Sequence, residues 1–386
     1  MLRKYSLRDF NFKLCIFLLV LSTLGVLLVG SADSTLQTKQ MLGVIGGFVI
    51  MLVIAFFDYS WVLHFAWVIY ALNLILLGSV LVMGAVSHGA TRWVQIGGSN
   101  GIQFQPTELS KILLILFFAM YIMKHEKDLN SLWTILKAVV LAAIPLGCIA
   151  VQPDLKNTIT ITMVFCIMMY VGGIAYKTIG RILLIVVPLG LVAFILITQT
   201  DLPILSDYQK ERIMTFLDPN NDEYTESARQ QNNSIVAIGS GQITGKGLNN
   251  KDGITSNNGN FVSEVQNDFI FAVAGEELGF VGSFAIIVLL FLIVFECIRT
   301  GMRAKDLAGQ IICTGVASIV AIQSFINICV ASGLLPNTGT PLPFVSYGLT
   351  SLISLYIGMG FVLNASLQRK KYPAVFLNEE SSRRAA

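Results

Sequence analysis

The chain of 386 residues is 54% hydrophobic and only 13% charged, and its formal net charge is +3. An ordinary soluble domain is about one quarter charged, so this composition excludes a soluble globular protein and indicates an integral membrane protein. We expect no nucleic-acid partner for such a chain.

Apolar runs long enough to cross a bilayer recur along the whole chain. A helix needs about 20 residues to cross a hydrocarbon core roughly 30 Å thick, and unbroken apolar runs of this length form helices in lipid. We predict an all-α polytopic membrane protein with about ten transmembrane helices in a single domain over residues 1–386. The predicted spans lie near residues 12–30, 41–57, 62–84, 107–123, 132–151, 158–175, 179–198, 269–298, 308–331 and 346–367.

One connection is much longer than the others. Residues 199–267 form a predicted extracellular loop between helices 7 and 8, and loops of this length are usually functional or disordered. The loop contains a glycine-rich run from Gly239 to Gly247 around Lys246, which does not match a phosphate-binding P-loop. A flexible surface loop is the preferred interpretation. The Lys and Arg residues concentrate on flanks that predict cytoplasmic termini at both ends.

Ionisable side chains inside a span need an explanation because each costs about 2.5–3.5 kcal/mol on insertion scales. Glu108 and Lys111 begin the fourth span after Gln105 and Pro106, and because they are three residues apart they share a helix face. Two interpretations remain open. The residues form a self-contained ion pair, or Lys111 faces an anionic head group while Glu108 fixes its position.

Further acids lie where spans begin or end. Asp154, in the run Gln-Pro-Asp-Leu, is interpreted as a helix cap more readily than as a catalytic group. Asp268 precedes the apolar run 269–298, which would make a helix of about 45 Å against a core of roughly 30 Å. We therefore predict that this helix either extends out of the membrane or is interrupted at residues 275–279. Asp268 would lie where the loop meets the membrane, with Glu276 and Glu277 deeper.

Several motifs together resemble one known family. The runs RWVQIGG, IQFQPTELSKI, QPDL, YQKERIMTFLDP, AIGSGQITGKGL, NDFIFAVAGEELGFVG and GLLPNTGTPLPFVSYGLTS follow one another between about residues 89 and 352. In this order they resemble the SEDS family of bacterial cell-wall proteins, RodA, FtsW and SpoVE. The FLDP and GKG pieces resemble RodA more than FtsW, which favours cell elongation and shape over cell division. The chain departs from the family pattern at Gln266, Asn267, Lys156 and Leu349.

The resemblance implies both a fold and an activity. The fold has ten transmembrane helices in the bacterial cytoplasmic membrane, with cytoplasmic termini. The activity is that of a peptidoglycan glycosyltransferase, which polymerises lipid II into a nascent glycan strand and works with a class B penicillin-binding protein amid membrane lipid. In the family the acid of the DFIF motif is the essential carboxylate, and here that acid is Asp268.

The candidate site residues have distinct expected roles. Asp268 is the candidate general base, and Lys111 is the first candidate to bind the substrate pyrophosphate. Further substrate-binding candidates are Glu108, Gln105, Arg212 and Lys246. Asp154, Arg92, Glu276 and Glu277 are expected to support the site. For the two glutamates, metal binding and pairing with Arg92 or Lys111 both stay open. A divalent cation, Mg²⁺ or Mn²⁺, is a possible cofactor, and no metal ligands are assigned.

Two other classes of function stay open on the sequence. A flippase or transporter for a lipid-linked precursor would distribute polar groups near the bilayer midplane, whereas here the acids and lysines cluster toward the outer side, which favours external chemistry. A non-catalytic scaffold for a class B penicillin-binding protein would act through helix faces. The altered residues before Asp268 keep this third hypothesis open.

Overall fold

The computed structural model describes residues 7–83, 85–87, 90–96, 102–181, 184, 225–249 and 265–368, and helices dominate all of these parts. The helices are α1 (Phe12–Ala32), α2 (Ser34–Ala55), α3 (Tyr59–His64), α4 (Ala66–Met83), α5 (Pro106–Lys124), α6 (Leu132–Val151), α7 (Leu155–Val171), α8 (Thr225–Ser240), α9 (Ile270–Met302), α10 (Leu307–Ala331) and α11 (Leu349–Leu367). Short 3-10 turns cover Leu7–Asp9 and Glu126–Asp128, and residues 176–181 are also helical.

The helices have the length and surface of membrane spans. Within the described residues, seven helices are long and apolar enough to cross a membrane: α1, α2, α5, α6, α9, α10 and α11. Helices α4 and α7 contain shorter apolar stretches. Large apolar side chains such as Ile75, Phe291 and Phe325 are exposed on the bundle surface, as expected where the neighbour is lipid. The chain is therefore a multi-pass membrane protein.

Nine of the predicted spans overlap helices in the described part of the chain, and the prediction of a helical polytopic fold is confirmed. The remaining predicted span, 179–198, lies outside the described residues except at positions 179–181 and 184. The span predicted at 62–84 is divided into α3 and α4 at Phe65. The long connection predicted at 199–267 contains α8, which packs against α9 and α10.

Helix α11 lies at the centre of the bundle between α2, α5, α9 and α10. Gly47 of α2 lies against the ring of Tyr356, where a Cβ atom would overlap the ring. The Tyr356 hydroxyl in turn forms a 2.7 Å hydrogen bond with Ser22 of α1. Small residues at such contacts let helix backbones approach closely in a membrane. These contacts hold α11 as the buried axis of the bundle.

A small antiparallel sheet joins α4 to α5. Its strands, in the order β1 (Ala85–Ser87), β2 (Ala90–Ile96) and β3 (Ile102–Phe104), pair in sequence order. In the second pair Val94 lies opposite Phe104, and Gln95 lies opposite Gln103. The sequence pattern did not predict this sheet because its strands are far shorter than a membrane span. The sheet delivers the chain to Gln105, the residue before α5.

Helix α5 begins and α10 ends at one end of the bundle, which we call the site end. A polar network closes the opposite end. There the Lys305 ammonium lies 3.6 Å from an Asp58 oxygen, which also accepts a 3.0 Å hydrogen bond from the Gln368 amide. Burial raises the pKa of Asp58, but hydrogen bonds from Ser60 and Gln368, with the Lys305 charge, outweigh it and hold the pKa below its ordinary value. The network ties the α2–α3 turn to the ends of α9 and α11.

Candidate active site

Helix α9 is broken at Gly279, which is one of the two alternatives that the length of its apolar run left open. Gly279 has φ 66° and ψ −162°, a conformation that glycine adopts readily. In a continuous helix the carbonyl groups of Glu276 and Glu277 would accept the N–H groups of Phe280 and Val281. Residues 241–247, which we call the strap, supply replacement partners for all four groups. The bonds are Lys246 N–H to Glu276 O at 3.0 Å, Gly247 N–H to Glu277 O at 2.9 Å, Phe280 N–H to Gln242 O at 2.8 Å and Val281 N–H to Ile243 O at 3.1 Å.

Two glycines let the strap lie directly on the helix break. A Cβ atom at Gly241 would overlap the carbonyl oxygen of Gly275, and one at Gly245 would overlap that of Glu277. Gly245 also has φ 78°, which disfavours other residue types. The glycine-rich run is therefore a fixed part of the fold, and its interpretation as a flexible surface loop is wrong.

The two deeper glutamates are engaged in the same region. Glu276 forms a 2.6 Å ion pair with Lys246, whose side chain is 32% exposed. Glu277 accepts a hydrogen bond from the Ser31 hydroxyl of α1. The predicted pairing of these acids with Lys111 is wrong, because Lys111 pairs with another residue. The side chain of Arg92, the other predicted partner, lies outside the described residues, as does all of Arg212.

Asp154 is fully buried and joins the start of α7 to the start of α5. One of its oxygens accepts hydrogen bonds from Asn157 at 2.8 Å, Gln105 at 3.1 Å and Thr107 at 3.4 Å. The other oxygen accepts the Asn157 backbone N–H at 3.4 Å, which is the geometry of a helix N-cap. Asp154 therefore satisfies buried donors from two helices, and these contacts fit the structural role that the sequence favoured.

A buried ion pair lies one turn into α5. The Lys111 ammonium is 2.8 Å from a Glu108 oxygen, and both side chains are 2% exposed. Lys156 lies in the first turn of α7, whose start is joined to the start of α5 through Asp154 and Asn157. The Lys156 ammonium donates a 2.6 Å hydrogen bond to the carbonyl of Gly339. Two lysines thus lie near the joined starts of α5 and α7, at the site end of the bundle.

Asp268 lies immediately before α9 and is partly exposed. Its backbone carbonyl accepts a 2.7 Å hydrogen bond from the side-chain amide of Asn327, and the same amide donates at 2.7 Å to the carbonyl of Thr340. Next to Asp268, the Gln266 carbonyl accepts the Tyr347 N–H at 2.9 Å. Within the described part of the chain, the Asp268 carboxylate has no hydrogen bond or ion pair. Hydrogen bonds therefore hold the backbone at Asp268, while its carboxylate can contact a ligand.

The turn at residues 337–340 connects these groups. Lys156 contacts its Gly339 carbonyl on one side, and Asn327 links its Thr340 carbonyl to the Asp268 carbonyl on the other. The structure thereby brings the Glu108, Lys111 and Lys156 cluster and the Asp268 carboxylate to the same end of the bundle. The sequence did not single out Asn327, because its role depends on partners 59 and 13 residues away.

An apolar crevice runs from Lys111 into the bundle. The space inside it is about 10 Å³, room for about one water molecule, and Leu114, Phe118, Phe165 and Met168 are among its lining residues. Among the described residues that line this crevice, Lys111 is the only charged one.

Known proteins match this chain over most of its length. The sequence pattern of the FtsW, RodA and SpoVE family, described as cell cycle proteins, matches residues 10–371. Peptidoglycan glycosyltransferase MrdB of Escherichia coli strain K12 is 34% identical over 353 residues, which are 92% of this chain and 91% of that protein. A probable peptidoglycan glycosyltransferase FtsW of Trichlorobacter lovleyi is 32% identical over 387 residues, covering 96% and 97% of the two chains.

Solved structures show the same fold. A chain from a peptidoglycan synthase complex with coordinated polymerization and crosslinking superposes with a TM-score of 0.74 at 26% identity, over 94% of this chain and 99% of that one. The rod shape determining protein RodA of Thermus thermophilus superposes with a TM-score of 0.68 at 23% identity, over 94% and 98%. The chain therefore belongs to the FtsW, RodA and SpoVE family, which its sequence motifs resemble.

Proposed function

We propose that this protein is a peptidoglycan glycosyltransferase that polymerises lipid II at the outer face of the bacterial cytoplasmic membrane. The observation that carries the proposal is the Asp268 carboxylate, which is partly exposed and without a described partner at the end of the bundle where Lys111 is buried. The names of the family relatives support the same reaction. In this proposal the site end faces outward and both termini are cytoplasmic.

The reaction requires a base and a group that stabilises the leaving pyrophosphate. Asp268 accepts the proton of the 4-hydroxyl of one GlcNAc while that oxygen attacks the anomeric carbon of MurNAc in the growing strand. The bond from this carbon to the pyrophosphate oxygen breaks, and undecaprenyl pyrophosphate leaves with the bonding electrons. A positioned base typically contributes about 10²–10⁴-fold to the rate.

Lys111 is the cation that stabilises the leaving pyrophosphate, and positive groups aimed at developing charge in a site with little water contribute strongly. Glu108 holds the ammonium in place at 2.8 Å. Gln105 and Asp154 join α5 to α7 and so fix the start of the helix that carries Lys111. The proposal includes Arg212 as a further cation, and Lys246 supports the site through its pair with Glu276.

A divalent cation, Mg²⁺ or Mn²⁺, belongs to the proposal only as a partner of the substrate. Among the described residues, no group of three or more His, Cys, Asp or Glu side chains could hold a metal ion. Mg²⁺ is commonly held by one or two carboxylates together with substrate phosphates. Asp268 or Glu108 could supply such a carboxylate, and the ion would then neutralise pyrophosphate charge.

The partner in this proposal is a class B penicillin-binding protein. A solved chain with the same fold belongs to a peptidoglycan synthase complex, in which polymerization and crosslinking are coordinated. The FLDP and GKG motifs favour a role in cell elongation over division. A crosslinking partner suits a polymerase because each new glycan strand must be joined to the existing wall.

The experiment is polymerisation of purified lipid II by the purified full chain, with and without a cognate class B penicillin-binding protein. We expect long glycan strands, resolved by electrophoresis, at least in the presence of the partner. A folded protein that yields no strands under either condition would contradict the proposal. Transfer of lipid II across vesicles without polymerisation would favour the flippase hypothesis instead.

A further inference from the structure

Lys156 is an unusual residue for its position. It occupies the first turn of α7, two residues after the buried N-cap Asp154, where the helix dipole disfavours a cation. Its side chain is partly buried, and its ammonium is 2.6 Å from the Gly339 carbonyl. A flexible, charged side chain loses rotamer freedom when it is fixed in this way. The position of this cation therefore needs an explanation beyond helix formation.

The hydrogen-bonding capacity of the two ammonium groups is largely unused. Each lysine ammonium has three N–H donors. The Lys111 ammonium contacts one Glu108 oxygen, and the Lys156 ammonium contacts one carbonyl oxygen, that of Gly339. Within the described residues, neither ammonium has a second acceptor, although the side chain of Lys111 is only 2% exposed. Up to four donors in the two ammonium groups therefore remain for a ligand that has several acceptor oxygens.

The net charge around the two ammonium groups is positive, as an anionic ligand requires. Lys111 and Lys156 carry two positive charges, and Glu108, which is paired with Lys111 at 2.8 Å, carries one negative charge. Asp154 is nearby in sequence, but both of its oxygens are already bonded to neutral donors from Gln105, Thr107 and Asn157. The cluster of Glu108 and the two lysines thus has one excess positive charge.

We propose that Lys156 is a second pyrophosphate-binding cation, which acts with Lys111 as a clamp for the pyrophosphate of a polyprenyl-linked substrate. The inference rests on the proposed function and adds one residue to its site. Pyrophosphate offers acceptor oxygens for both ammonium groups, and a hydrogen bond between charged groups is about twice as strong as a neutral one. Because Lys156 also contacts the turn at residues 337–340, bound pyrophosphate would fix the turn that Asn327 links to Asp268.

The test is a binding measurement that does not require turnover. Undecaprenyl pyrophosphate is titrated into the detergent-purified full chain, and Lys156→Met, Lys156→Gln and Lys156→Arg are compared with the wild type. Lys156→Gln keeps a donor for the Gly339 carbonyl but removes the charge. Lys39→Met is the matched control, because Lys39 is an exposed lysine at the same end of the bundle.

We expect Lys156→Met and Lys156→Gln to bind about tenfold more weakly, which corresponds to one charge-assisted hydrogen bond. Lys156→Arg should stay within about threefold of the wild type, because it keeps the charge, and Lys39→Met should not differ. Equal affinity of the wild type and the Lys156→Gln variant, both with unchanged thermal stability, would overturn the inference. A wild type that does not bind undecaprenyl pyrophosphate would overturn it as well.

Two competition measurements identify the kind of molecule whose phosphate groups bind the two lysines. Inorganic pyrophosphate should compete with the carrier, and its inhibition constant should also rise about tenfold in Lys156→Gln. If vesicles of phosphatidylglycerol compete equally well, the site is one for phospholipid head groups and the assignment is wrong. A chain that shows the Lys156 effect on binding but makes no glycan would refute only the proposed polymerase.

Discussion

The strap on the broken helix gives the sharpest structural prediction. In the variant Gly241→Ala, the new Cβ atom would overlap the Gly275 carbonyl oxygen, which is backbone and cannot turn aside. The strap must then move away from the break. Four backbone hydrogen bonds join the two segments, and each contributes about 0.5–1.5 kcal/mol net. We expect the closed state of the strap to lose at least about 2 kcal/mol, which multiplies the opened population by about 30.

Lys246 makes this opening measurable, because trypsin cleaves after lysine and the strap holds the Lys246 backbone against Glu276. Proteolysis that requires local opening follows the population of the open form when reclosing is fast. Trypsin should therefore cut Gly241→Ala after Lys246 about 30-fold faster than it cuts the wild type. Mass spectrometry of the fragments assigns the cut to this site.

Gly239→Ala is the matched control. It lies two residues earlier in α8, and a Cβ atom there meets no atom within 4 Å. Alanine favours a helix over glycine by up to about 1 kcal/mol, so this variant should be cut no faster than the wild type. Equal cleavage rates for Gly241→Ala and Gly239→Ala would refute the reasoning that the strap is fixed to the helix break by close backbone contact.

Three other predictions follow from single contacts. Asn327→Asp replaces the amide donor with a carboxylate 2.7 Å from two carbonyl oxygens. The kcat of glycan synthesis should therefore fall at least about tenfold, while the KM stays within about threefold of the wild type. An unchanged kcat would contradict the positioning role of Asn327. Asp154→Ala should lower the free energy of unfolding by at least about 2 kcal/mol, because buried donors lose their acceptor. Asp154→Asn, which keeps one acceptor oxygen, should lower it less. Thermal denaturation of both variants tests this. The pKa of Asp58 is lowered on folding, so the ionised carboxylate stabilises the fold above its ordinary pKa, and this stabilisation is lost as the pH falls. The difference in Tm between the wild type and Asp58→Asn should therefore shrink between about pH 6 and about pH 3. A difference in Tm that stays constant with pH would contradict this prediction.

The sequence could predict those features that depend on local spacing. The break in α9 follows from an apolar run too long for one membrane crossing, and the Glu108–Lys111 pair follows from a spacing of three on a helix. The cap formed by Asp154 follows from the residue types that begin helices. The ion pair and the N-cap contact each join residues three positions apart, and the length of an apolar run is itself a local property.

Other features depend on partners far apart in the chain. Asn327 contacts the carbonyl of Asp268 across 59 residues, and Lys156 contacts Gly339 across 183 residues. The strap could not be recognised because its glycines look like those of a flexible loop, and only the position of Gly275 and Gly279 shows what they fit against. Such contacts are set by how helices pack, which no local pattern specifies.

The central claim is that the Asp268 carboxylate is the base of a lipid II polymerase. The most direct measurement is the rate of glycan synthesis from purified lipid II by Asp268→Asn, with the partner present. Asp33→Asn is the control, since asparagine can replace the aspartate that caps α2. We predict that Asp268→Asn loses at least about 10²-fold in rate while its thermal stability and carrier binding match the wild type. Glycan synthesis by Asp268→Asn at the rate of Asp33→Asn would contradict the claim.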